Sequence, residues 1–512
     1  MNSRFNLNFI RQNSPKKVSD RLPYCIILLF GIIYFTIVIC NHYFFRTAAF
    51  DYGAYNFAFY DYAHFRVSDS PVYLVDHNSF LQDHVSFTLM LFVPLYWLFS
   101  WITGTYTLLF IQTFIILYGS WAVYNLVKLK TKSELLSVLA LLQYLILLGR
   151  WTSFMSDCNF AIIASSLVPV FLLYFERKKL LLSIVAFIFI LLTREDMSLW
   201  MAFVGLFLLV SNFKEKWSRN FSIAVILISI SYFIIVFTLI VPMLETPFKK
   251  YNLFNYTVLG SGPFEAFLFI LKHPFETIKY LFINTTHDPA FDNVKSEFYF
   301  YYLICGGFLL FIRPKYLLLF VPLLAKKMLN DDPIRWSNQL YYSIEFVSIL
   351  PVVVFLIISE LKSRILRNAS IVTVCIATLV FTIHLLDSPN RKLNYWGDRK
   401  YAFYKSSMYK VGFNSKKIHE YLKLIPPGAK VSATGHILTH LAFRPKIYYF
   451  PRVDDAEYIV GLLQDDNYPL DLKQFASEMN RYLNSNEWQF QVYDFPFFIA
   501  KKKNLNLNDI HL

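Results

Sequence analysis

The sequence predicts an α-helical polytopic membrane protein with a small α/β domain outside the bilayer at its C-terminal end. Three observations predict it. Of 512 residues, 56% are hydrophobic and only 16% charged, where a soluble domain carries roughly 25% charge. Apolar runs near the ~20-residue spanning length recur from residue 24 to residue 386. From 387 to 512 the chain turns polar and proline-bearing, and no stretch there is long and apolar enough to span.

Residues 1–23 carry Arg4, Arg11, Lys16, Lys17 and Arg21, so this tail is expected in the cytoplasm. The run at 24–40 resembles a signal peptide, but no small-x-small cleavage site follows it, so 24–45 reads as an uncleaved first span. Further apolar runs fall at 84–101, 105–127, 135–149, 160–175, 180–193, 197–211 and 220–243. After a mixed region, 244–297, with an amphipathic piece around Phe264–Phe282, runs follow at 298–312, 315–329, 342–360 and 369–386. Cys25, Cys40, Cys158, Cys305 and Cys375 show no C-x-x-C or metal spacing, and four of them sit within apolar runs, so no disulfide framework is expected.

Charge sets the orientation. The net charge of +14 is concentrated in short loops, Lys128–Lys132, Arg177–Lys179, Lys214–Arg219, Arg313–Lys315 and Lys362–Arg367. Such loops face the cytoplasm, which explains the charge without nucleic acid as a partner. Three runs precede Lys128, yet a cytoplasmic tail and a cytoplasmic Lys128 loop need an even number of crossings. The stretch 84–101 is short and holds Pro94, so it is expected to lie on the surface or re-enter. About 11 true spans and an external C-terminus follow. The C-terminal region reads as strands at Lys430–Ala433, Lys446–Phe450, Glu457–Leu462, Trp488–Tyr493 and Phe497–Lys501, with helices at Ser415–Leu424, Ile437–Phe443 and Asp471–Leu483. The domains are thus a tail 1–23, a membrane domain 24–386 and an external domain 387–512.

The polar groups that interrupt this apolar chain are the candidates for chemistry. The loop 46–83 carries Asp51, Asp61, Asp69, Asp76 and Asp83, with His64, His77 and, just beyond it, His84. Asp51, just past the first span, suits a general base, since partial desolvation raises a carboxylate pKa. It equally suits a helix cap or a solvated loop acid. Tyr52 could stack on a sugar ring or serve packing. The Asp83–His84 pair could hold a metal, orient a phosphate or form an interfacial hydrogen bond. No H-x-x-x-H motif supports a metal site, so the cofactor stays unassigned. Arg194, Glu195 and Asp196 interrupt two apolar runs. Arg150, Asp157 and Arg335 fall on the same predicted face, where Arg150, Arg194, Lys326, Lys327 and Arg335 are cations suited to clamping a lipid phosphate, although Lys326 and Lys327 read better as interface anchors.

These residues carry a resemblance. Phe50-Asp51-Tyr52-Gly53, Asp83-His84, Pro94-Leu95-Tyr96, Gln112, Asp157 and Arg194-Glu195-Asp196 resemble, in order and spacing, a bacterial family of predicted membrane proteins with a domain of unknown function. The tail from Ile425 to Ala433 and from Leu441 to Pro445 extends the likeness over nearly the whole chain. The family's layout is similar to the GT-C superfamily of lipid-linked sugar transferases, with an acidic motif and juxtamembrane helices in the first external loop. That resemblance implies an inverting glycosyltransferase in the cytoplasmic (inner) membrane, drawing a polyprenyl-phosphate sugar donor from the outer leaflet, with Asp51 as base and the acceptor unknown. Asp157-Cys158-Asn159 departs from the family's loop, which lacks its histidine and second acid here. A lipid or solute transporter, or an envelope-assembly scaffold, is the alternative; the first predicts related halves, and none are apparent in the sequence.

Overall fold

The computed structural model describes residues 21–67, 72, 79–246, 254–387, 400–465, 467 and 470–503. Most of the basic tail, and Asp69, Asp76 and His77 of the acidic loop, lie outside the described residues.

The first span is helix Leu22–Tyr43. Its 22 residues reach about 33 Å at 1.5 Å per residue, enough for a hydrocarbon core of about 30 Å. One face buries Tyr34, Ile37 and Val38, while Leu28 and Ile32 stand exposed, the division expected of a helix lying between protein and lipid. Helices Val93–Thr103 and Thr107–Thr131 follow one another almost directly. Together they form a 39-residue apolar run, about 58 Å long and nearly twice the bilayer core. Gly104, at φ +53°, lies between them in the left-handed region that glycine enters without strain. The segment before it stays at the Asp51 end of the bundle: Trp97 Nε1 donates to the Ala63 carbonyl at 2.9 Å and the Tyr52 hydroxyl donates to the Thr105 carbonyl. Helix Thr107–Thr131 then crosses to the opposite end, where Lys128 and Lys130 close its last turn.

Helices Phe160–Glu176, Leu180–Thr193 and Met197–Asn212 are shorter apolar helices. Helix Ile344–Glu360, nearly all buried, lies centrally. Helix Glu134–Ile146 breaks at Leu147 and turns by 43° into 148–156. The long helices on the outside are Lys216–Leu244 and Arg364–Leu386. Helix Thr107–Thr131 meets helix Phe160–Glu176 at Gly119, where a Cβ would lie 2.5 Å from the Ser166 carbonyl oxygen. Gly119→Ala should therefore push two helices apart and cost about 1–3 kcal/mol, as overpacking does; thermal unfolding of the purified protein in detergent measures it.

Two stretches expected as spans differ. The chain through 298–329 is helix Val294–Ile304, two 3-10 segments, Gly307–Ile312 and Pro314–Leu319, and the eight-residue helix Val321–Met328. Gly306 takes φ +120° against Val354, and Pro314 and Pro322 each sit in the first turn of a new segment. Proline cannot donate the helical hydrogen bond, so apolar composition alone did not give continuous helices there.

The C-terminal domain is a five-stranded sheet in the order β2-β1-β3-β5-β4, with β1 Val431–Ala433, β2 Ile447–Tyr449, β3 Tyr458–Leu462, β4 Trp488–Asp494 and β5 Phe497–Lys502. β1 pairs in parallel with β2 and β3, and β5 runs antiparallel to β3 and β4. All five strands, and helices Ser415–Leu422, Gly435–Leu441 and Leu472–Leu483, lie where alternation and helical periodicity put them, within two residues at each end. The last is started by an Asp471–Gln474 capping box.

This domain sits directly on the outlet of the first span. Arg46 donates to the carbonyls of Met408, Ser407 and Lys410 at 2.6, 3.2 and 2.8 Å. Asn41 donates to the Lys400 carbonyl at 2.8 Å. The His42 and His440 rings stack at 3.9 Å, and the Thr47 and Thr439 hydroxyls meet at 2.9 Å.

Candidate active site

The first span ends at Phe44, and the chain turns through a left-handed Phe45 at φ +54° into a five-residue π-helical turn, Ala49–Gly53, before helix Ala54–Ala63. Asp51 is the middle residue of that turn. Wide turns of this kind occur frequently at functional sites. Gly53 lets the domain approach: a Cβ there would meet Leu438 of helix Gly435–Leu441 at 2.5 Å.

The Asp51 carboxylate is partly buried and accepts no hydrogen bond among the described residues. Burial, then the nearby Asp157 charge, push its pKa up to about 7, against a smaller opposing pull from Lys400. Asp83 and His84 also lie within electrostatic reach. A carboxyl poised near neutrality and not hydrogen-bonded to another side chain is what a general base requires.

Asp157 has a different setting. It holds φ +53°, uncommon for a side-chain-bearing residue. Its carboxylate accepts from the Ala48 amide at 2.9 Å and from Lys400 Nζ at 3.1 Å. Gln112, within the neighbouring span, donates to the Asp157 carbonyl and accepts from the Asn159 amide, both at 2.9 Å. Asp157 thus ties three pieces together: its own loop, the entrance to the Asp51 turn and the C-terminal domain's Lys400. Burial raises its carboxyl in spite of Lys400. His436, whose Nδ1 bonds the buried Asp465, reaches the same area electrostatically. Lys400→Met should leave Asp157 buried without its cation and cost about 3–5 kcal/mol, with Asp157→Asn recovering part of it. Chemical denaturation of the single and double variants tests this.

A second group flanks Asp51. His84 lies between Asp83 and Glu195, at 3.8 and 3.4 Å, and Glu195 also accepts from the Val85 amide at 3.2 Å. Burial disfavours the imidazolium, but Asp83 and Glu195 outweigh it and hold His84 above its usual range. Burial likewise opposes ionised Glu195, and the neighbouring His84 and Arg194 hold it below the usual carboxylate range. Beside it Arg194 Nε lies 3.3 Å from Asp196, which also pairs with Lys326 at 2.5 Å; Lys326 reaches Glu345 at 2.7 Å. Despite burial, Arg194 and Lys326 hold the Asp196 carboxyl well below its usual range.

These residues border a small cleft of about 30 Å³ lined by Arg194, Lys326, Lys327, Arg335, Tyr341, Tyr342 and Glu345, with Leu323 and Phe346. Tyr342 is within electrostatic reach of Asp51, which places the carboxylate near this wall. Arg194 Nη1 is buried with no hydrogen-bond partner. Lys327 instead braces the wall, donating to the carbonyls of Arg335, Ser337 and Tyr342 at 2.7, 2.5 and 3.0 Å. Arg335 Nε lies 4.0 Å from Asp332 and its guanidinium sits 5.7 Å from the Tyr342 ring centre.

Asp51, Asp83, His84, Asp157, Arg194, Glu195, Asp196 and Arg335 therefore gather at one end of the bundle. Two expected residues do not join them. Tyr52 is fully buried, with its hydroxyl on the Thr105 carbonyl, and offers no ring face to a sugar. Arg150 is fully buried below, over the Tyr144 ring at 4.6 Å, its three guanidinium nitrogens without hydrogen-bond partners. Among the described residues no group of three or more His, Cys, Asp or Glu is arranged to hold a metal. Lys400, Glu345, Tyr341 and Tyr342 were not singled out in the sequence. Only Glu345, a lone acid opening an apolar run, gave a signal.

A family model described as "Predicted membrane protein (DUF2079)" matches residues 41–501. No curated protein matches in sequence. Among solved structures, the chain is similar to an Archaeoglobus fulgidus oligosaccharyltransferase tethered to an acceptor peptide, with 13% identity and a TM-score of 0.44 over 87% of this chain and 69% of that one. It is similar to the same organism's oligosaccharyltransferase AglB in complex with an inhibitory peptide and a dolichol-phosphate, with 11% identity and a TM-score of 0.43 over 95% and 75%. It is also similar to ArnT from Cupriavidus metallidurans bound to undecaprenyl phosphate, with 12% identity and a TM-score of 0.49 over 95% and 99%.

Proposed function

The chain belongs to the DUF2079 family of predicted membrane proteins, and from that premise we propose that it is a GT-C-type inverting glycosyltransferase using a polyprenyl-phosphate sugar at the outer face of the cytoplasmic membrane. One observation carries the reading: Asp51, with no hydrogen-bond partner among the described residues and held near neutrality, stands beside a cleft lined by four cationic side chains. The membrane face is supported by charge. Lys128 and Lys130 occupy the far end of helix Thr107–Thr131 from the Asp51 turn, 25 residues away and about 37 Å, and basic loops stay inside.

In this reading Asp51 takes the acceptor's proton as the acceptor oxygen attacks the anomeric carbon. The bond from that carbon to the phosphate oxygen breaks, and its electron pair leaves on the lipid phosphate. One displacement inverts the carbon. Arg194 and Lys326 neutralise the charge that develops on the leaving phosphate, while the His84–Glu195 pair holds the loop bearing Asp83 against Arg194. The C-terminal domain fixes the turn through Lys400, Asp157 and Ala48, and its surface is the place for the acceptor. Membrane lipids surround the helices, and nucleic acid has no role.

Mass spectrometry of lipids that co-purify with the full chain, followed by transfer assays in proteoliposomes with that lipid, tests the reading. A polyprenyl-phosphate sugar, and a sugar product with inverted configuration, are expected. Transbilayer movement of lipid with no sugar product would instead identify a transporter.

A further inference from the structure

The C-terminal domain meets the outlet of the first span through imidazole rings. His42, in the last turn of helix Leu22–Tyr43, stacks on His440, in the last turn of helix Gly435–Leu441. Their ring centres lie 3.9 Å apart and their planes are 11° from parallel. His419, from helix Ser415–Leu422, stands edge-on to His440 at 5.2 Å, and its Nε2 lies 3.0 Å from the Tyr43 carbonyl oxygen. Phe45 packs against both domain histidines, 4.6 Å from His419 and 4.3 Å from His440. Three ionisable rings from three helices thus fill one joint.

The joint has little provision for positive charge. His42 is fully buried, with its two nitrogens on the Thr47 and Thr105 hydroxyls at 2.9 and 2.8 Å and the Tyr106 ring at 4.3 Å. The His440 ring bonds the His42 backbone, while its Nε2 is buried with no hydrogen-bond partner among the described residues. A proton on Nε2 would place a buried donor opposite no acceptor, and against a parallel imidazole. Burial, then His42, His419 and His436, push the His440 pKa well below the usual histidine value. Burial lowers His419 in spite of the Tyr43 carbonyl, and Lys423 adds to the effect. The nearby acids of the domain are engaged elsewhere: Asp465 by His436 and Thr434, and Asp494 by Lys417 and Tyr421, while Glu420 is exposed. On the span side Arg46 donates to the carbonyls of Met408, Ser407 and Lys410. The Asp157–Lys400 pair is a further charged contact between bundle and domain.

The same helix that carries His440 holds the Asp51 turn. Thr439 meets Thr47 at 2.9 Å, and Leu438 covers Gly53. We propose that the His42–His440–His419 stack is an acid-released latch, closed while its rings are neutral and opened by their protonation, which unseats the Ala49–Gly53 turn from the C-terminal domain. The proposal stands independently of the transferase reading. Its sign follows from the lowered domain histidines. Their contribution to docking is fully present above the ordinary histidine value of about 6.5 and is lost as pH falls below it. His440 alone weakens docking by up to about tenfold for each pH unit below that value, and His419 adds to it.

Hydrogen–deuterium exchange of the full chain in nanodiscs, corrected for the intrinsic effect of pH, tests the latch. Peptides covering 42–53 and 435–441 are compared at pH 7.5 and 5.5, with helix Phe160–Glu176 as the internal reference. Protection of both peptides should fall together by at least about tenfold in acid and return when the pH is restored, while the reference stays unchanged. His440→Phe keeps an aromatic ring on His42 but takes no proton, and it should lose most of the acid response. His419→Gln keeps a donor for the Tyr43 carbonyl and should lose a smaller share. A full acid response in both variants would assign the opening to Asp157 and Lys400 and overturn the latch. Wild-type protection unchanged at pH 5.5 overturns it as well. If His440→Phe is already open at pH 7.5, His419→Gln decides: a response equal to the wild type's overturns the proposal, and a reduced one upholds it.

Discussion

Asp51→Asn should lower sugar transfer by about 10²–10⁴-fold, the usual worth of a positioned base, while the purified variant still binds its lipid donor. The pH profile supplies the signature. Burial and Asp157 lift the Asp51 pKa to about 7, and the base works only when ionised, so kcat/KM should rise with pH through a limb centred near 7. The asparagine variant should lose that limb. Stability moves the other way. The folded pKa is raised above an unfolded value of about 3.9, so the stability tied to this group is fully present below that value and lost as pH rises through about 7. Asp51→Asn should therefore melt higher than the wild type at pH 8 and nearly equally at pH 4. A residue whose replacement abolishes turnover and raises Tm is set up for chemistry at the expense of stability; a merely structural aspartate would do the reverse.

Arg194→Gln should cost about 10²–10³-fold in kcat/KM, comparable to removing one preorganised donor to a developing anion. The structure gives reason to expect the variant to fold. Asp196 keeps Lys326 at 2.5 Å when Arg194 is gone, and Lys326 keeps Glu345. The loss should be accompanied by weaker inhibition by free polyprenyl phosphate, since the same guanidinium holds the leaving group. Arg194→Lys should recover part of the rate, because charge returns without the forked geometry. If Arg194 only braced its loop, transfer would fall in step with Tm, inhibition by the product lipid would be unchanged, and the lysine variant would behave like the glutamine one.

What the sequence made legible follows from how local each signal is. The C-terminal strands were readable because short β-rich runs such as Tyr458–Leu462 stand between turn residues. The helix Thr107–Thr131 was readable because an apolar run ends in Lys128 and Lys130. The stretch 298–329 was not, because apolar residues look alike in a spanning helix and in the broken segments that Gly306 and Pro314 produce. Asp51 and the Arg194 cluster were visible as charges out of place in an apolar chain. Arg150 was visible in the same way, yet the 43° break after Ile146 tucks its short helix inside the bundle, a turn that composition does not announce. Tyr52 could not be separated from its neighbouring tyrosines until the Thr105 carbonyl was seen to hold it. The setting of Asp157 was hidden most deeply, because its counterion Lys400 lies 243 residues away in another domain.

That distance has a consequence for how the protein is made. The turn bearing Asp51 leaves the ribosome early, but the lysine that secures its entrance is synthesised only after helix Arg364–Asp387. A nascent chain stalled before Lys400 would hold the Asp157 carboxylate and the entrance to the Asp51 turn without their cation. The brace on this turn thus arrives only with the final part of translation, and under the proposed transferase reading a half-inserted molecule would not yet turn over its lipid donor.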